Sequence, residues 1–464
     1  MNDAVTLTPA AKRDLTYHLH PSTNLRQVET EGPLVIARGE GVYVFDEQGN
    51  RYLEGLAGLW CASLGFSERR LAEAAYKQML ELPFYHAFAG KVPAIATELA
   101  EKLISMAPGG LARAIFANSG SEANDTAIKL VWYYNNALGR TEKKKIIGRQ
   151  KGYHGMTIAA GSVTGLPFVH SDFDLPRGRF IHTGAPYHYR FGKPGETEEQ
   201  FASRLAAELD ELIVREGPDT VAAFFAEPVM GAGGVIVPPA TYFDKIQPVL
   251  RKHNVLLVVD EVICGFGRTG NMVGSQTYNI QPDILTCAKA LTASYLPMSA
   301  TLVSKLIYDE LLKQSDKLGM FGHGYTYSAH PVPAAVALET LKIYEERDIV
   351  GHVRKVGPRL QAGLQSLREH PLVGEARGIG LIGALELVRD KATRASFEPK
   401  PSIGANVVKR AQQHGAILRN MAGDIIAFSP PLIISEKEID ELIDKTKRAL
   451  DDTLPLARER GLVG

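Results

Sequence analysis

The stretch LLVVDEVICGFGRTG (residues 256–270) decides how this chain is read. It opens as an unbroken apolar run, closes that run on Asp260 and then turns on glycines. A second, shorter run, PDILTCAKALTASYLP (282–297), leads into Lys289. Strands buried on both faces, as in a parallel α/β sheet, read as continuous apolar runs. Ligands of such sheets sit outside the carboxyl ends of the strands. An acid at one end and a lysine at another therefore point to a small-molecule site with opposite charges facing each other. Ala288 and Ala290 flank Lys289 and predict that it loses water, which lowers its pKa and makes the amine nucleophilic. A carbonyl cofactor needs such a lysine, and pyridoxal phosphate (PLP) is the candidate.

Outward from these runs, short apolar segments alternate with amphipathic helical patterns from about residue 112 to 331, the βαβ signature of a mostly parallel sheet. VAAFFAEPVMG (221–231) carries Glu227 and Pro228 at its end, and KKKIIGRQKGYHG (143–155) runs into Tyr153. ARAIFANSGSEAND (112–125) is a strand that breaks into the turn Ser119-Gly120-Ser121. Behind that turn Ala123, Ala127, Leu130, Val131 and Tyr134 recur at helical spacing, so a helix starts there. Its free N–H groups and dipole suit an anion such as a phosphate, with Gly120 allowing close approach and Ser121 adding a hydroxyl. An ordinary N-cap with Glu122 in the first turn needs the same residues. The neighbouring strand ends at Asp260 and Lys289 favour the phosphate.

Two formal G-x-G-x-x-G matches, Gly265/Gly267/Gly270 and Gly378/Gly380/Gly383, lack the helix opening on the glycines that a dinucleotide site requires after its strand. No helical period follows Gly270, and a strand follows Gly383, so both are read as turns. After residue 332 the chain becomes helix-rich with a few strands (373–387, 423–432). GVYVFDEQGNRYLEG (41–55), with a turn at residues 48–50, can pair with that C-terminal part. The expected division is a large cofactor-binding domain over 61–331 and a small discontinuous one made of 1–60 with 332–464.

Composition narrows the function classes. A chain of 464 residues exceeds one ordinary core. Its 52 basic and 52 acidic side chains balance, giving no electrostatic reason to expect nucleic acid or an anionic membrane. The three cysteines, Cys61, Cys264 and Cys287, are far apart and suggest neither a metal site nor a disulfide framework. The N-terminal stretch lacks a signal-peptide core and no apolar run is long enough for a bilayer, so a reducing cytoplasm is the expected setting.

The set NSGSEAND, KGYHG, AEPVMGAGG, VVDEVICGFGRTG, the Ala-Lys at 288–289 and GYTYSAHP resembles the class III PLP-dependent aminotransferases, and within them the ω-transaminases. The resemblance runs from HPSTN (20–24) to FSPPLIIS (428–435) and implies an α/β fold of PLP fold type I. It implies that Lys289 binds PLP covalently, that Asp260 keeps the pyridine nitrogen protonated, and that Val262 and Tyr153 hold the two ring faces. Ser119, Gly120 and Ser121 would take the phosphate. Thr326, beside Tyr325, would add a contact from the neighbouring subunit, implying a homodimer with shared sites; pairing into tetramers stays open. Glu227 would orient the ring region. His154 would border the cofactor in a structural role, as would His323 elsewhere, because Lys289 already supplies the base.

For the substrate, the resemblance implies a pocket lined by Leu59, Trp60, Ala232, Tyr325 and the partner's Phe88. Arg419 would swing in for a carboxylate and out for an apolar group. Ser22 stands where relatives often carry an aromatic, implying a roomier pocket. The expected reaction moves an amino group from a primary amine or ω-amino acid to pyruvate or another oxo-acid, by ping-pong alternation of PLP with pyridoxamine phosphate. An acid-specific aminotransferase for β-alanine, GABA or ornithine-like donors, and another PLP reaction on the same fold, are the alternatives.

Overall fold

The computed structural model describes residues 7–397 and 403–463. At its centre lies a seven-stranded sheet in the order Leu111–Ala117, Ser299–Ser304, Ile284–Cys287, Leu256–Asp260, Val221–Ala226, Lys145–Arg149, Phe180–Thr183. Only Ser299–Ser304 runs antiparallel to its neighbours, so the sheet is mostly parallel as expected. Every residue of Val221–Ala226 and Leu256–Asp260 is buried, which is why these strands read as apolar runs; Ser299–Ser304 is equally buried but carries three hydroxyl side chains.

Helices cover both faces. Leu257 and Val259 pack with Phe224 against Glu198–Glu216 and Tyr242–Lys252. Leu256 and Val258 pack with Phe225 against Gly120–Ala137 on the other side. Phe224 and Phe225 are both fully buried on opposite faces, and truncating either to alanine would cost about 3–5 kcal/mol. The two-residue period also aims the strand's end. Asp260 continues the Leu256/Val258 side, toward the helix that starts at Gly120, while Glu261 turns away.

Two four-stranded sheets complete the fold. In one, Tyr43–Asp46 and Arg51–Glu54 form the hairpin expected around residues 48–50, with Asp46 accepting the Gln48 and Asn50 amides. Arg51–Glu54 then pairs in parallel with Ala416–Ile417. The other contains Val373–Ile379, Ile382–Leu387, Ile425–Phe428 and Arg419–Met421. We propose 61–331 as a large domain and 1–60 with 332–464 as a small one, a division that this pairing between distant chain segments supports; residues 1–6, 398–402 and 464 of it lie outside the described residues. No helix among the described residues is long and apolar enough to cross a membrane.

The second glycine triplet is a β-hairpin, with Gly378 and Gly383 in paired strands and Gly380 at its turn. The first lies in turns, but a one-turn helix, Gly274–Thr277, follows where no helix was expected. Glu261 explains it: the buried carboxylate accepts the N–H groups of Gly274 and Ser275 at 2.8 and 2.6 Å. A cap supplied from outside the segment leaves no trace in its periodicity.

Candidate active site

Asp260 is 4% exposed, yet its carboxylate is fully partnered. Oδ2 accepts from the Asn124 amide at 2.7 Å and meets His154 Nδ1 at 2.9 Å; Oδ1 accepts the Val262 N–H at 3.0 Å. Asn124 is buried on the helix Gly120–Ala137. It also donates to the His154 carbonyl at 2.7 Å and accepts the Thr286 hydroxyl at 2.9 Å. The carboxylate is therefore locked in one orientation by groups from three elements. His154 has no exposed side chain and touches the edge of Phe225 at 5.6 Å between ring centres.

Lys289 lies two residues beyond the end of the strand Ile284–Cys287, in a left-handed conformation at φ 50°. Its amine has no hydrogen-bond or ion-pair partner among the described residues. Desolvation lowers its pKa; the charges of Asp260, Cys61 and Glu227 oppose this, and Arg419 reinforces it. An uncommitted, desolvated lysine amine near a carboxylate fits covalent capture of a carbonyl.

At the helix start, Ser119 forms a capping box with Glu122. Its hydroxyl accepts the Glu122 N–H at 3.2 Å and its own amide donates to Glu122 Oε2 at 3.1 Å. The N-cap alternative and the anion reading thus coexist: Ser119 caps the helix, and Gly120 and Ser121 line the cavity beside it. A Cβ on Gly120 would come within 3.0 Å of Val262, so only glycine leaves this approach free. The Ser121 hydroxyl accepts the Met156 N–H at 3.1 Å. Amides at a helix terminus, a free lysine and a held carboxylate form a donor set that fits PLP.

Glu227 is buried, and burial raises its pKa. Its two oxygens accept the Tyr153 and Gly231 N–H groups at 3.1 and 2.9 Å. It thereby fixes the backbone of Tyr153, whose side chain enters the cavity. Opposite, the Arg419 guanidinium stands 5.3 Å from the centre of the Trp60 ring. Trp60 belongs to a tight turn in which Ala57, Gly58 and Trp60 all have positive φ. The buried Glu54 holds that turn by accepting the Leu56 N–H at 2.9 Å.

These groups enclose a cavity of about 890 Å³. Ser22, Leu59, Trp60, Gly120, Ser121, Tyr153, His154, Glu227, Ala232, Asp260, Val262, Lys289 and Arg419 all line it. Two residues expected there do not: Ser119, at the cap, and Tyr325; Phe88 and Thr326, expected to serve the partner's site, also lie off it. Tyr325 reaches Thr126 and the Glu122 carbonyl, both at 3.3 Å, on the outer side of the helix. Phe88 packs over Gly324, and Phe88 and Thr326 are exposed. Asn124, Pro21, Thr23, Phe168 and Met421 also line the cavity without having been singled out. For Asn124 the signal was present: a polar side chain beside Ala123 and three residues before Ala127, on the helix face that packs inward.

The family model for class III aminotransferases matches residues 26–450. A γ-aminobutyrate transaminase of Solanum lycopersicum, named chloroplastic, is 53% identical over 91% of this chain and 81% of its own length. A vanillin aminotransferase of Capsicum annuum is 50% identical over 91% of this chain and 92% of its own. Among solved structures, the ω-transaminase of Pseudomonas jessenii in complex with PMP superposes with a TM-score of 0.95 at 53% identity, covering 98% of this chain and 100% of that one.

Proposed function

Because the chain belongs to the class III aminotransferases, enzymes that use PLP, we propose that it transfers the amino group of a primary amine or ω-amino acid to pyruvate or another oxo-acid. One observation carries the choice of substrates. With Lys289 committed to the cofactor, Arg419 is the one remaining Lys or Arg side chain lining the cavity among the described residues. Its guanidinium rests on an aromatic face. A site so built holds one carboxylate when Arg419 turns to it and an apolar group when its stem folds against Trp60.

Bound PLP supplies a carbonyl that takes up the donor nitrogen and a ring that accepts electrons from the Cα–H bond. The chain's residues supply the rest. Gly120 and Ser121 N–H groups and the Ser121 hydroxyl bind the phosphate. Asp260, oriented by Asn124, His154 and Val262, holds a proton on the pyridine nitrogen by charge pairing. Tyr153 and Val262 bound the two faces. With PLP bound, the Lys289 amine would be the base that takes and returns the substrate's proton. Trp60, Leu59 and Phe168 give the cavity an apolar wall beside that amine.

Phe88 and Thr326 lie off the cavity, on a surface that also exposes Phe84, Tyr85, Val92 and Tyr327. The homodimer reading rests on this apolar patch, with Phe88 and Thr326 entering the partner's site; gel filtration and cross-linking test it. We also infer a cytoplasmic setting, supported by three free cysteines, although the tomato relatives are named chloroplastic and mitochondrial; cell fractionation decides.

The 53% identity to a γ-aminobutyrate transaminase favours a second reading, an acid-specific donor such as GABA. The deciding experiment follows the visible absorbance of the holoenzyme on adding a donor without acceptor. An apolar primary amine that bleaches the band, with recovery on pyruvate, supports the first reading. Bleaching by GABA or β-alanine alone moves it to the second, and no bleaching by any donor refutes transamination.

A further inference from the structure

Outside the cavity, one cluster of potential ligands is assembled from the N-terminal segment. Asp14 and His18 are four residues apart at the end of the helix Pro9–Tyr17, so their side chains share a face. His20 follows after one residue and turns back. His18 Nδ1 meets Asp14 Oδ1 at 2.9 Å and His20 Nε2 meets Asp14 Oδ2 at 2.6 Å. The two rings lie 4.6 Å apart, and one ligand atom from each residue falls within 4.8 Å of the others. Among the described residues Asp14 has no ammonium or guanidinium partner; its side-chain hydrogen-bond partners are these two imidazoles.

We propose that Asp14, His18 and His20 form a divalent-cation site that fastens the N-terminal segment over the mouth of the active-site cavity. Two imidazoles and a carboxylate are the donor set of zinc and its borderline neighbours nickel, cobalt and copper. Each ring presents a lone pair to the metal by shifting its N–H to the other nitrogen, so binding needs no strong base. Metal–ligand bonds of about 2.0–2.1 Å in tetrahedral geometry separate ligand atoms by roughly 3.3 Å. The hydrogen-bonded pairs therefore open by less than about 1 Å, and the widest pair, within 4.8 Å, closes by at most about 1.5 Å. His18 is 58% exposed on its side chain, which leaves an entry path and room for water as a further ligand.

The position gives the site a function. His20 is followed directly by Pro21, Ser22 and Thr23, all of which line the cavity. Ser22 sits at φ 49°, a conformation that a non-glycine residue keeps only when its surroundings hold it. A cation binding His20 to the preceding helix restrains that segment and the part of the pocket it walls.

The test uses untagged holoenzyme, stripped with a chelator and titrated with zinc against a competing indicator. The expected result is one zinc per chain in the micromolar range, weakened roughly tenfold or more in Asp14→Asn and in His18→Asn, and lost in the His18→Asn/His20→Asn double variant. Cobalt should give the visible spectrum of a tetrahedral or five-coordinate nitrogen–oxygen site in the wild type alone. Zinc should shift the KM for a bulky amine in the wild type and leave the double variant unmoved. Equal zinc uptake by wild type and double variant, or no uptake at up to about 100 µM zinc, overturns the site. An unchanged KM in the zinc-saturated enzyme overturns its link to the cavity. Cofactor absorbance and circular dichroism of the variants separate ligand loss from misfolding.

Discussion

Replacing Asn124 by alanine tests the orientation of Asp260 without touching Asp260 itself. The side chain is 1% exposed and makes three hydrogen bonds, to Asp260 at 2.7 Å, to the His154 carbonyl at 2.7 Å and from Thr286 at 2.9 Å. Leaving buried partners unsatisfied costs about 1–3 kcal/mol each, so a folding loss of about 3 kcal/mol or more is expected. For the reaction, only the donor to Asp260 counts. A hydrogen bond to a charged group is worth about 1.5–3 kcal/mol, which corresponds to roughly 10- to 150-fold in kcat if the carboxylate must be held to keep the ring nitrogen protonated. Asn124→Asp is expected to be worse, because it sets a second carboxylate against Asp260 and forces one of them to take a proton. The assay is the initial rate of amine-to-pyruvate transfer at saturating PLP, with PLP affinity measured separately by absorbance. Rates within twofold of wild type in Asn124→Ala, with unaltered PLP affinity, would refute the view that Asn124 holds Asp260.

Lys289→Ala should bind PLP without the absorbance of a covalent adduct and show no turnover; measurable turnover at saturating PLP counts against Lys289 as proton carrier. Arg419→Leu removes a charge-assisted contact of about 1.5–3 kcal/mol, so kcat/KM for pyruvate should fall roughly 10- to 150-fold while the half-reaction with an apolar amine changes little. Gly120→Ala puts a Cβ 3.0 Å from Val262, and PLP affinity should drop about tenfold by equilibrium dialysis. Glu54 has its pKa raised by burial to about 7 from 4.5. The folded state therefore keeps a proton that the unfolded chain releases at lower pH, so Glu54's contribution to stability falls as pH rises from about 4.5 to about 7 and is level above. Glu54→Gln should flatten that fall in thermal midpoints recorded at pH 5.5 and 7.5; an unchanged slope would exclude Glu54 as its source.

What the sequence made legible was whatever local pattern carries. Buried strands announce themselves as apolar runs, so Asp260 and the neighbourhood of Lys289 could be found at strand ends, and the turn before a helical period located Gly120 and Ser121. Residues whose work depends on a distant partner were not singled out. Asn124 bonds Asp260 across 136 positions, and the helix at Gly274 depends on Glu261. Arg419 sits on a three-residue strand too short for any periodicity, and only resemblance singled it out. Pro21 and Thr23 reach the cavity from the short irregular link between the helices Pro9–Tyr17 and Leu25–Glu31. Phe88 and Thr326 lie apart from the cavity of their own chain, which neither pattern nor spacing could foretell.

The single antiparallel strand has a consequence for biosynthesis. Leu111–Ala117, which delivers the phosphate turn, touches the rest of its sheet only through Ser299–Ser304. During translation the edge strand emerges almost two hundred residues before the strand that docks it. Until residue 304 has left the ribosome, the edge strand that leads into the turn at Gly120 has no strand to pair with, and only the helix behind it reaches the sheet. Cofactor capture is thus a late event in the life of the nascent polypeptide, and ribosome-bound chains arrested before residue 299 should take up no PLP however long they wait.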